Sequence, residues 1–104
     1  MTNFVLIYSG GTPPQTPAEQ EAMMAAWGAW YGKMGEAVTD GGNPFSGAKQ
    51  ITGEGVAEGH GAGERLTGYT IISAASLDKA VELVGDHPHT QSGGTVTVYE
   101  TFAM

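Results

Sequence analysis

Leu66-Thr67-Gly68-Tyr69-Thr70-Ile71-Ile72, then Ser76-Leu77-Asp78-Lys79-Ala80-Val81-Glu82-Leu83-Val84, then Gly85-Asp86-His87-Pro88-His89, then Gly93-Gly94-Thr95-Val96-Thr97-Val98-Tyr99-Glu100: this run decides the fold. It reads as strand, capped helix, His-Pro-His loop and strand. Ser76 is an N-cap residue, Leu77, Ala80, Val81 and Val84 share one helical face, and Gly85 suits the position after the last turn. From Thr95 to Phe102 the residues alternate. Val96, Val98 and Phe102 point one way, and Thr95, Thr97, Tyr99 and Thr101 the other, as in a half-buried strand.

The front half repeats that order. Asn3 to Ser9 is a β-branched and aromatic run stopped by Gly10-Gly11, and Thr12-Pro13-Pro14-Gln15 is a loop because neither proline can donate a ladder hydrogen bond. Thr16-Pro17-Ala18-Glu19 announces a helix: the hydroxyl caps, proline suits the first turn, and the glutamate closes a capping box. Met23, Trp27, Trp30, Met34 and Val38 then fall at helical spacing, which predicts a helix over 17–38. Gly28, Gly32 and Gly35 each weaken it by about 0.8–1 kcal/mol relative to alanine. Asp40-Gly41-Gly42-Asn43-Pro44 ends it. Phe45 to Thr52 is expected to hold a short edge strand, and the glycine-rich, acidic run 53–63 a mobile hairpin or flap. The element order is βαββαβ. That is the α+β, ferredoxin-like arrangement of a four-stranded antiparallel sheet with two helices on one face.

At 104 residues the chain is expected to be one domain spanning 1–104 and marginally stable alone. The first strand is apolar on both sides, with Phe4, Leu6 and Tyr8 opposite Val5 and Ile7. Two helices cover only one sheet face, so the other is expected to pack against a second copy. Eleven acidic residues against Lys33, Lys49, Arg65 and Lys79 give a net charge of −7. Scattered cations argue against nucleic acid and anionic membranes as partners. Phe4 to Tyr8, the longest apolar run, is far short of the ~20 residues that span a bilayer. No secretory signal is visible, and cysteine is absent. Disulfides, thiolate metal sites and thiol nucleophiles are thereby excluded, and a cytoplasmic location is expected.

With these elements in place the chain resembles the YCII-related, or DGPF-domain, proteins of the dimeric α/β-barrel group. The likeness runs through Ile7-Tyr8-Ser9-Gly10, Gly41-Gly42-Asn43-Pro44, Leu66-Thr67-Gly68-Tyr69, Ser76-Leu77-Asp78-Lys79-Ala80 and Pro88 to Val98. It implies a homodimer of ferredoxin-like subunits and, for part of the family, dehydrochlorinase-like or proton-transfer chemistry. Two departures stand out. Glu58-Gly59-His60-Gly61 occupies the place of the Asp-Gly-Pro-Phe signature. Relatives suspected of catalysis pair a first-helix histidine with an aspartate ahead of the late proline, whereas residues 17–38 here contain no histidine. Asp86 answers to the aspartate, with His87 between it and Pro88.

Asp86-His87-Pro88-His89 is the polar cluster with chemical potential. Pro88 biases His87 toward extended backbone, and residues two apart in an extended segment project to one side. Asp86 and His87 are therefore the candidate acid–base pair, with the carboxylate orienting the ring. The plainer reading, which is preferred, is a helix-ending loop whose histidines titrate near ~6.5 in solvent. His60 with His87 and His89 offers three nitrogens to a metal, but His60 sits in a glycine run, and neither metal nor cofactor is expected. Tyr8, Tyr99, His89 and His60 are the candidate ligand-binding residues, Tyr99 because its face otherwise carries threonines. Trp27, and less firmly Trp30, are expected to anchor the core. The leading expectation is a homodimer binding a small molecule in the sheet cleft. The alternatives are an Asp86/His87 acid–base enzyme and a non-catalytic module.

Overall fold

The computed structural model describes residues 1–61 and 63–104. Strand β1 (Thr2–Gly10) leads to helix α1 (Pro17–Met34), a single 3₁₀ turn at Gly35–Ala37, and the short strand β2 (Val38–Asp40). A hairpin of β3 (Lys49–Thr52) and β4 (Gly55–Glu58) follows. Strand β5 (Leu66–Ala74), helix α2 (Leu77–Val84), the one-turn helix α3 (Pro88–Gln91) and strand β6 (Gly94–Glu100) complete the chain. The main sheet has the order β2-β5-β1-β6, and every pairing is antiparallel. This is the ferredoxin-like α+β arrangement, with β3 and β4 inserted as a separate two-stranded sheet.

Local chemistry explains the helix boundaries. The Thr16 side chain accepts the Glu19 amide (3.1 Å) and the Ser76 side chain that of Lys79 (3.2 Å), filling orphan donors at each N-terminus. Gly85, at φ +56°, turns the chain out of α2. Gly35, at φ +54°, does the same for α1 three residues before the expected end. Val38 therefore belongs to β2, opposite Ile72, and the helical reading of 35–38 is corrected. The edge strand of the main sheet is likewise β2 and not 45–52. Lys49–Thr52 is a strand, but it pairs only with β4, and all eight hairpin residues are exposed.

One face of the sheet holds the core. Phe4, Leu6, Tyr8, Thr70, Ile72 and Ala74 meet Trp30 and Met34 of α1 and Ala80 and Val84 of α2. The Trp30 indole N–H donates to the Val84 carbonyl (3.1 Å) and ties the helices together. On the opposite face Val5, Ile7, Tyr69 and Ile71 are half-buried and carry no helix. No described helix is long and apolar enough to cross a membrane.

Candidate functional site

The C-terminal end of β1 and the N-terminal end of β5 meet two loops and the aromatic face of α1 around a cleft of ≈ 650 Å³. Tyr8, Met23, Trp27, Tyr31 and His89 form its walls, and the chain segments at 10–14 and 41–44 form its rim. Glycine makes the rim possible. At Gly42, φ +74°, a Cβ would overlap the Tyr69 carbonyl, so the rim loop lies directly on β5.

His87 sits beneath this cleft and is fully buried. It is the N-cap of α3, and its Nδ1 accepts the His89 amide (3.0 Å). The neutral ring therefore carries its proton on Nε2, which donates to the Tyr8 hydroxyl (3.1 Å). Tyr8 donates to Thr70 Oγ1 (2.7 Å), and Thr70 donates to the Gly41 carbonyl (3.1 Å), which also accepts from Tyr31 (2.8 Å). A single directional chain of hydrogen bonds thus joins α3 to the rim loop. The rings of Trp27 and Trp30 lie 4.6 and 4.3 Å from that of His87. Burial, aided by neighbouring His89, pushes the His87 pKa down to about 4. Burial also pushes the Tyr8 phenol up to about 12, against the lowering effect of its bond to Thr70.

These positions correct the solvated-loop reading. His87 is not a surface imidazole near 6.5, and among the described residues Asp86, which is exposed, makes neither hydrogen bond nor ion pair with it. The two rings do converge, both packing against Tyr8 and Trp27, but from a helical turn and not from an extended segment. Residues 88–91 are helical, because Pro88 at the first helical position and the His87 cap favour a turn.

His89 lines the cleft. Its Nε2 donates to the Ser9 carbonyl (2.8 Å), which leaves Nδ1 as the free acceptor of the neutral ring. Among the described residues Nδ1 has no partner, and no buried side-chain nitrogen or oxygen lacks one, so Nδ1 is open to solvent. Two glycines seat the ring. A Cβ at Gly94 would overlap it, and one at Gly11 would come within 3.0 Å of Cε1.

The other expected residues are divided. Tyr8 and His89 meet in the cleft, with ring centroids 5.5 Å apart. Tyr99 pairs with Val5 on the helix-free face and is 56% exposed, so it is placed outside this cleft. The alternation that buries Val96 and Val98 sends Tyr99 the other way. His60 lines a second cavity of ≈ 590 Å³ beside the hairpin, with Phe45, Arg65 and Leu66. Among the described residues no three metal-ligating side chains converge. Trp30 is the fully packed tryptophan, while Trp27 is half-buried and lines the cleft, reversing the expected weight of the two. Tyr31 was not marked by sequence, Met23 was read only as part of the apolar helix face and Arg65 only as a scattered cation; the glycine pairs 10–11, 41–42 and 93–94 were the available signal for the rim and the His89 seat.

No protein-family model matches this sequence, and no curated protein matches it. Solved structures do match. Among them is the 5-chloro-2-hydroxyhydroquinone dehydrochlorinase of Burkholderia phenoliruptrix in complex with 2,5-dihydroxybenzoquinone. It is 21% identical, the match covers 97% of this chain and 95% of that one, and the TM-score is 0.56. The likeness is one of fold, an antiparallel α+β sheet with helices.

Proposed function

We propose that this protein binds a small, flat, hydroxylated ring compound in the aromatic cleft, and that His89 exchanges a proton with it. One observation carries the reading: the His89 imidazole lines the cleft together with Tyr8, Trp27 and Tyr31, with Nε2 committed to Ser9 and Nδ1 without a hydrogen-bond partner among the described residues. A neutral imidazole with a free nitrogen is a competent base near neutral pH. The surrounding rings supply the stacking surface and apolar area that hold a planar molecule.

His87 supports this chemistry without performing it. Buried and neutral, it holds Tyr8 by one nitrogen and the His89 amide by the other. Asp86 lies outside the constellation, so the acid–base role moves from Asp86 and His87 to His89. The ring class of the ligand is suggested by the dehydrochlorinase, which was solved with a dihydroxyquinone. The site itself is read from this chain. The subunit is proposed to act as a homodimer joined through the helix-free sheet face, where Val5, Ile7, Tyr69 and Ile71 gather.

Dihydroxybenzoquinone titrated into the protein should quench tryptophan fluorescence through Trp27, and a chlorinated hydroquinone should release chloride. His89→Gln should abolish chloride release and leave the quenching in place. Chloride release that survives His89→Gln removes the catalytic role. Quenching without any turnover leaves a binding protein.

A further inference from the structure

We infer that the cleft selects ring compounds carrying a negative charge, with Arg65 as the specificity-determining residue; this rests on the reading of the cleft as the ring-binding site. The chain has four cations and a net charge of −7, so its general field repels anions. Lys49 and Lys79 are held by Glu58 and Glu82, each at 3.3 Å. Lys33 lies in the last turn of α1, with Nζ close to Gly85. Arg65 alone of the four lines the cleft, and it also borders the second cavity.

Among the described residues Arg65 makes no ion pair or side-chain hydrogen bond. Glu64 also lines the cleft, with its carboxylate against the rim at Gly10, and it forms no ion pair with Arg65. A planar fork of donors at the edge of an aromatic slot matches a carboxylate or phenolate in the plane of a bound ring. Tyr8, Trp27 and Tyr31 offer such a ring only faces, edges and hydroxyls, and His89 is neutral while it serves as a base. Arg65 is therefore the group that separates a charged ring from its neutral isostere.

The pair gentisate and gentisamide tests this, since the two differ chiefly in the charge of one substituent. Calorimetry on the intact protein should find gentisate about fivefold to tenfold tighter, the range of a charge-assisted hydrogen bond in a solvent-exposed setting. That preference should shrink as salt is raised. Arg65 is exposed, so Arg65→Gln leaves the fold intact; it should bring gentisate to the affinity of the amide, and Arg65→Lys should restore part of the difference. Equal affinity of the two compounds for the unaltered protein, or a preference that survives Arg65→Gln, overturns the inference and leaves the ring-binding reading standing. Binding of neither compound overturns both.

Discussion

The Nε2 of His87 and the hydroxyl of Tyr8 lie 3.1 Å apart although the residues are 79 positions apart in the chain. This bond fixes His87 as donor and Tyr8 as acceptor, and it aligns every later bond as far as the Gly41 carbonyl. Removing the Tyr8 hydroxyl strands the buried N–H of His87, while Thr70 loses one donor and keeps its bond to the Gly41 carbonyl. Tyr8→Phe should therefore destabilise the fold by roughly 1–3 kcal/mol, the cost of an unsatisfied buried polar group. Urea denaturation measures it, and an unchanged midpoint is incompatible with the chain of bonds.

Acid should weaken the protein through His87. Its folded value of about 4 lies below the ordinary 6.5. Between those values the unfolded chain binds a proton that the folded chain refuses. The contribution is fully present above pH 6.5 and is lost as pH falls toward 4. It amounts to about 3 kcal/mol at most. Denaturation at successive pH values should show this decline, and His87→Asn, which keeps an N-cap acceptor, should flatten it. An NMR titration in which the His87 ring picks up its proton near 6.5 contradicts the burial.

Gly94 should prove indispensable to the site and dispensable to the fold. The nearest atoms a Cβ there would meet all belong to the His89 ring. Gly94→Ala is expected to change stability by roughly 1 kcal/mol or less, because alanine also restricts the unfolded chain. Ring binding or chloride release should fall tenfold or more. His89 resonances that do not move in this variant would show that the glycine does not seat the imidazole.

Gly42→Ala should behave differently. The new methyl overlaps the Tyr69 carbonyl at φ +74°, so backbone must move and the rim loop must lift from β5. A loss of roughly 1–3 kcal/mol is expected, together with weaker binding. Thermal unfolding beside ligand titration separates the two effects, and a variant as stable as the parent argues against the close approach.

Sedimentation should report about twice the 10.7 kDa chain mass. A stable pair needs an interface above about 1,000 Å² in total. Ile7→Lys places a charge on the helix-free face and should give monomers with the helix content retained. If the unaltered protein is already monomeric at micromolar concentration, the homodimer is excluded.

Thr16, Ser76 and Gly85 were legible because caps act within four residues, and the strands because alternation is local. Gly35 as the true end of α1 was less so, since Gly28 and Gly32 occur inside the same helix without ending it. The three residues of β2 are too few to show a period; pairing with Ile71 and Ile72 makes them a strand. His87 and His89 look alike along the chain. Their separation into one buried, neutral support and one open imidazole depends on Tyr8, Trp27 and Trp30 arriving from β1 and α1. Capping, periodicity and turn chemistry are short-range, so both long helices and the strands β1, β5 and β6 could be read along the chain, whereas the edge strand β2 could not. Only the tertiary structure decided which histidine faces the cleft, because desolvation and hydrogen-bond direction are properties of packed neighbours far apart in the chain.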